Sequence, residues 1–267
     1  PYIEMNIPPV MSVMTALALA FIFGLGIAST QATSLKQLSD QGRDIIQLLL
    51  TKIIIPFLPL YIAGVFAQMA AAGTVFVTLQ TFGIVLVLAI VLHWVWICSL
   101  FVIAGIKAGK SPLGLIKNML PAYFTALGTM SSAATIPVAL QATKNNGVKE
   151  DVANFTVPLC ATVHLSGSTI TIVSCAVAVI MMKSNLEIPS LFTMLPFILT
   201  LGVVMLAAPG VPGGAVMSAV GLLGSMLGFG EGAIALMIAL YMAQDSFGTA
   251  CNVTGDGAIA VLVDKAD

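Results

Sequence analysis

Four polar side chains recur at i, i+4, i+7 and i+11 in ALYMAQDSFGTACNVTGDGAIA (residues 239–260): Asp245, Thr249, Asn252 and Asp256. At the helical increment they fall within roughly 60° of one another, so one stripe carries two carboxylates, a hydroxyl and an amide. The chain around them is 59% hydrophobic, and a carboxylate at a bilayer centre costs roughly 2.5–3.5 kcal/mol on insertion scales. Such a stripe must face protein, water, an ion or a substrate. Lysine pairing explains it poorly, because the basic residue near these aspartates is Lys265, at the chain end. Gly255 and Gly257 bracket Asp256 and predict local unwinding that would aim backbone carbonyls at a cation.

Composition sets the environment. Charged residues make up 8% of 267, the net charge is −1 and mean hydropathy is +1.07, whereas a soluble domain carries roughly 25% charged residues. This is an all-α polytopic membrane protein by pattern, and with no basic run nothing points to nucleic acid. Cys98, Cys160, Cys175 and Cys251 lie in apolar context without paired ligand spacing, so they read as small core residues, not as a disulfide or zinc framework. Pro1 opens without a charged leader region, no signal peptide is visible, and further helices are expected to precede the chain.

The elements that must position the stripe follow in order. Residues 9–29 are long and apolar enough for one span. Residues 34–52 form a polar linker whose latter half has interfacial character, and a second span, 53–72, carries Pro56 and Pro59 near its start. A third span, 75–106, is long enough to tilt or protrude; His93 near its middle reads as a hydrogen-bonded packing residue. Residues 113–143 are interrupted by GTMSSAATIP (128–137), which fits a re-entrant hairpin with a serine-rich tip. A fourth span, 152–182, contains the polar break HLSGS (164–168). A second hairpin, 189–228, is broken at APGVPGGA (208–215), and the final span is 232–263.

Lys36, Arg43, Lys107, Lys110, Lys117, Lys144, Lys149 and Lys265 fall on one set of connections and Lys183 on the other. The positive-inside rule makes the first set cytoplasmic, so the first hairpin enters from the cytoplasm and the second from outside. Residues 113–182 and 189–263 thus repeat the same pattern from opposite faces, with a binding site expected where their broken segments meet near the midplane.

In GTMSSAATIPVAL, VPLCATVHLSGS, PGVPGGAVM and DSFGTACNVTGD, taken in that order, the chain resembles the dicarboxylate/amino acid:cation symporter family of glutamate-transporter relatives. The resemblance covers nearly the whole chain and is most specific in Asn252 to Asp256; three helices of the family would precede Pro1. It implies an inverted-repeat elevator transporter with two re-entrant helical hairpins, a homotrimer in the cell membrane, in contact with lipid and a small-molecule solute. Residues 1–73 would be the end of the scaffold and trimerisation region, and 74–267 the moving transport domain. By position, Ser131, Ser132, Ser168, Val211, Gly213, Asp245, Thr249 and Asn252 match substrate-binding residues, with Asp245 holding an ammonium group and Val211 and Gly213 in the outer gate. Cys160, Thr162, His164, Asn252 and Asp256 match the cation-binding set, and no resident cofactor or metal is implied beyond transported Na+ or H+.

The departures from that pattern bear on the cargo. Acidic-substrate members carry an arginine where this chain has Gly248 or Met130, leaving no bidentate partner for a side-chain carboxylate. The family's N-M-D-G-T is here His164, Leu165, Ser166, Gly167 and Ser168; the lost aspartate removes a hard ligand. His164 either titrates near neutral pH or preserves only backbone-carbonyl ligation. The reading is a cation-coupled symporter of a small amino acid or dicarboxylate, with Na+ favoured and a lean to neutral amino acids. The alternative is a proton-coupled symporter of dicarboxylates or acidic amino acids. A channel is less consistent with two opposed gates around one acidic site, and an enzyme would need a nucleophile and base at recognisable spacing.

Overall fold

The structure, a computed structural model, describes residues 11, 13–49, 52–53, 55–71, 73, 75–182 and 189–266. Lys183, on which part of the charge asymmetry rests, and the start of the first expected span lie outside the described residues. Residues 1–52 and 53–267 form separate compact units. In the first, α1 (Val13–Thr30) is an apolar helix and α2 (Thr33–Leu49) an amphipathic one. The polar linker is therefore helical from Thr33 onward, with Arg43 paired to Asp40 at 3.5 Å and Asp44 at 3.1 Å.

The second unit comprises α3 (Ile55–Ala71), α4 (Val75–Ala108), α5 (Pro112–Thr129), α6 (Ser132–Asn145), α7 (Glu150–Val163), α8 (Ser166–Met182), α9 (Leu191–Met205), α10 (Gly214–Leu227), α11 (Glu231–Met242) and α12 (Asp245–Asp264). At 34 residues, α4 runs about 50 Å against a hydrocarbon core of about 30 Å. One stripe of it is buried, Val85, Ala89, His93, Ile97, Phe101 and Ala104, while Val91, Val95, Val102 and Ile103 are exposed. A soluble helix would turn polar residues outward; here the exposed face is also apolar, as lipid requires.

α12 is the axis of the unit, packed against α4, α5, α6, α7 and α8. α5 packs against α6 and α9 against α10. Serine hydroxyls fix where their helices start: Ser111 Oγ accepts from the Gly114 N–H at 3.5 Å, Ser131 Oγ from Ala134 at 3.3 Å and Ser190 Oγ from Thr193 at 3.3 Å. Each satisfies a backbone donor that the first turn leaves unpaired.

Three expectations change. The last span is not one helix: α11 and α12 meet at Ala243–Gln244 with a 59° bend. Gly255 and Gly257 do not unwind; α12 stays helical through both, and they serve close packing instead. A Cβ on Gly255 would lie 2.6 Å from His164 Cε1, and one on Gly257 2.6 Å from Met119 Sδ. The break in 152–182 is shorter than HLSGS, since only His164 and Leu165 leave the helix and Ser166 already opens α8.

Candidate functional site

Asp245 opens α12 and is buried, 3% exposed. Its place at a helix N-terminus offsets part of the cost of burying charge, because the backbone dipole is positive there. Its Oδ2 accepts the Gly213 N–H at 2.6 Å; Gly213 has φ of 73°, a left-handed conformation that glycine adopts freely. The other hairpin reaches the same place, for Ser131 Oγ donates to the Gly210 carbonyl at 2.8 Å. The two tips therefore touch, over a cavity of about 10 Å³, roughly the room one water needs.

Ser132, Ser168, Val211, Asp245, Thr249 and Asn252, all expected substrate residues, line this cavity. Ser131 and Gly213 make the contacts that close it. Asn252 acts on α8 from a distance in sequence: its Oδ1 accepts from the Gly167 N–H at 2.7 Å and Ser168 at 3.3 Å, and its Nδ2 donates to Ser168 Oγ at 2.9 Å. It caps the start of α8 in place of a local side chain. That needs α8 and α12 nearly in backbone contact, and Gly167 allows it. A Cβ there would collide with the Gly248 carbonyl and lie 2.6 Å from Cys251 Cβ. Behind Gly167, buried His93 bonds its carbonyl at 3.0 Å and Thr171 Oγ1 at 3.1 Å, the packing role expected of it.

Asp256 lies apart from the cavity lining. It is 1% exposed and its Oδ1 is 2.8 Å from His164 Nδ1, so its partner is an imidazole, not a lysine. The His164 backbone N–H donates to the Cys160 carbonyl at 2.8 Å, closing the end of α7. Thr162 is not drawn into this group: it is exposed and its Oγ1 donates to Leu159 at 2.8 Å. Ser166, at the position of the missing aspartate, accepts from Trp96 Nε1 at 3.0 Å.

The sequence reading missed Tyr241 and the exact part played by Met130. Both line the cavity, and Tyr241 is fully buried. The available signal was its position four residues before Asp245, the same helical spacing that picked out the stripe. Among the described residues neither lysine nor arginine lines the cavity. At Gly248 even a Cβ would stand 3.1 Å from Thr171 Oγ1 and 3.4 Å from the Ser168 nitrogen, so the backbone spacing is set for a residue without a side chain.

The sequence pattern of the sodium:dicarboxylate symporter family matches residues 1–266. The chain belongs to that family. Members of the family are membrane transporters rather than enzymes, in keeping with the apolar helices here. It is 27% identical over 256 residues to excitatory amino acid transporter 1 of Bos taurus, covering 94% of this chain and 46% of that protein. It is 30% identical over 259 residues to a serine/threonine transporter of Acinetobacter baylyi, covering 94% and 63%, and 28% identical over 204 residues to excitatory amino acid transporter 5 of Homo sapiens, covering 76% and 35%. The chain thus spans about half the length of the curated relatives it matches.

Proposed function

We propose that the protein is a secondary active symporter that takes up a small neutral amino acid with a cation, sodium by preference. Asp245 carries the reading. A buried carboxylate needs a positive partner, its cavity wall holds no lysine or arginine among the described residues, and the ammonium of an amino acid supplies that charge. A plain dicarboxylate would add two negative charges beside it. The start of α6, capped by Ser131, offers backbone N–H groups and a positive dipole end to the solute's carboxylate. The named specificity of the Acinetobacter relative for serine and threonine points the same way. On this reading residues 74–267 are the moving transport domain and 1–73 the end of a trimeric scaffold, with substrate carried between the two hairpin tips.

Uptake into proteoliposomes tests it. L-serine, L-threonine or L-alanine is expected to accumulate down an imposed sodium gradient, and unlabelled serine to compete. Uptake of aspartate or succinate that no neutral amino acid inhibits overturns the proposed cargo.

The His164–Asp256 contact favours a second reading for the coupling ion, a proton, since an imidazole nitrogen stands where a hard cation would prefer oxygen. Asp256→Asn separates the two. If Asp256 is a sodium ligand, the half-saturating sodium concentration rises about tenfold or more, with a far smaller change in serine KM at saturating sodium. An unaltered sodium dependence, with uptake still driven by an imposed pH gradient in the wild type, selects the proton.

A further inference from the structure

Tyr241 is a polar group in the cavity wall that the binding set above does not use. It is the penultimate residue of α11, across the bend from Asp245, and it is fully buried. Its hydroxyl lies beside Ser168 and Asp245, short of full hydrogen-bond geometry with either. Both neighbours also serve other groups: Ser168 Oγ accepts from Asn252 Nδ2 at 2.9 Å, and Asp245 Oδ2 accepts the Gly213 N–H at 2.6 Å. A buried hydroxyl without a well-formed hydrogen bond is a standing cost to the folded protein. Phenylalanine would fill the same space without that cost, so packing gives no reason for the oxygen.

We propose that Tyr241 is a specificity residue, and that its hydroxyl hydrogen-bonds the side-chain hydroxyl of a serine- or threonine-like solute whose ammonium sits on Asp245. The inference rests on the reading of this cavity as an amino-acid site and deepens it. The chemistry of the solute supplies the geometry. In serine the hydroxyl is borne on the carbon next to the one carrying nitrogen, so the two groups lie about one hydrogen-bond length apart. A donor and acceptor beside Asp245 is placed to meet the hydroxyl once the ammonium is seated. A site built to hydrogen-bond a substrate hydroxyl rejects the analogue lacking it, because its own polar group is then left unpaired.

The experiment uses Tyr241→Phe in the full-length protein in proteoliposomes, with L-serine, L-alanine and O-methyl-L-serine as probes. The serine KM is expected to rise about tenfold, and that for alanine much less, so the preference for serine over alanine collapses. The substrate-free melting temperature is expected to hold or rise, whereas a tyrosine that is purely structural loses stability with its hydroxyl. Equal changes for serine and alanine, or an unchanged ratio, overturn the inference. If the variant does not fold, the wild type decides: it should favour serine over both alanine and O-methyl-L-serine by about tenfold. Serine and alanine taken up equally well overturn the role of Tyr241 while leaving the amino-acid reading intact; transport of aspartate or succinate with neither of them overturns both.

Discussion

Asp245→Asn is expected to lower kcat/KM for neutral amino acid uptake by about a hundredfold. The substitution keeps the size of the side chain and removes its charge. A hydrogen bond to a charged group is worth about 1.5–3 kcal/mol, and truncating one partner of a buried charge pair about 2–5 kcal/mol. At about 1.4 kcal/mol per tenfold these bracket the expected loss. An amide oxygen still accepts the Gly213 N–H, which Asp245 Oδ2 holds at 2.6 Å, so hairpin closure and folding should survive. Measured thermal stability therefore separates a lost ligand from a lost fold. Wild-type uptake rates in the variant would remove Asp245 from the binding site altogether.

Gly167→Ala has the largest expected effect on the fold. In an open helix the change gains up to about 1 kcal/mol through propensity, and Gly202 of α9, with no heavy atom within 4 Å of its would-be Cβ, is the matched control. At Gly167 the added carbon meets the Gly248 carbonyl and, at 2.6 Å, Cys251 Cβ. The first obstacle is backbone and cannot rotate away. Overpacking of this kind costs about 1–3 kcal/mol and more where backbone must shift, so a net loss of about 2 kcal/mol is expected, with weaker solute binding as Asn252 loosens its hold on the start of α8. Thermal unfolding of the two variants side by side checks it. Equal melting temperatures for Gly167→Ala and Gly202→Ala would mean that α8 and α12 do not need their close approach.

Much of this arrangement was legible because it is written locally. The serine-rich interruption at 128–137 reads as a hairpin tip, and Ser131 caps the helix that starts there; the prolines and glycines at 208–215 break a helix wherever they occur. What was not legible depends on partners distant in the chain. Gly255 and Gly257 looked like points of unwinding until His164 and Met119 packed against them. The bend before Asp245 lies in Met-Ala-Gln, a run of good helix formers with neither proline nor glycine. Gln244, at φ of −120° and ψ of −6°, leaves the helix for reasons outside its own neighbourhood. Tyr241 went unnoticed because an aromatic in an apolar run ordinarily signals core, and the setting of its oxygen becomes visible only when Ser168 and Asp245 surround it.

The hold of Gly213 on Asp245 bears on the direction of traffic. One carboxylate answers to two claimants, a backbone N–H of the second hairpin and, on the proposed reading, the amine of the cargo. The backbone group holds one of the two carboxylate oxygens, Oδ2, and on the proposed reading the cargo would compete with it for the same charge. With the backbone group in place the buried charge is already hydrogen-bonded, which on the proposed reading would let a carrier without cargo shut and return. On the proposed reading, a carrier so arranged would be free to return empty, and its uptake would not depend on a counter-solute.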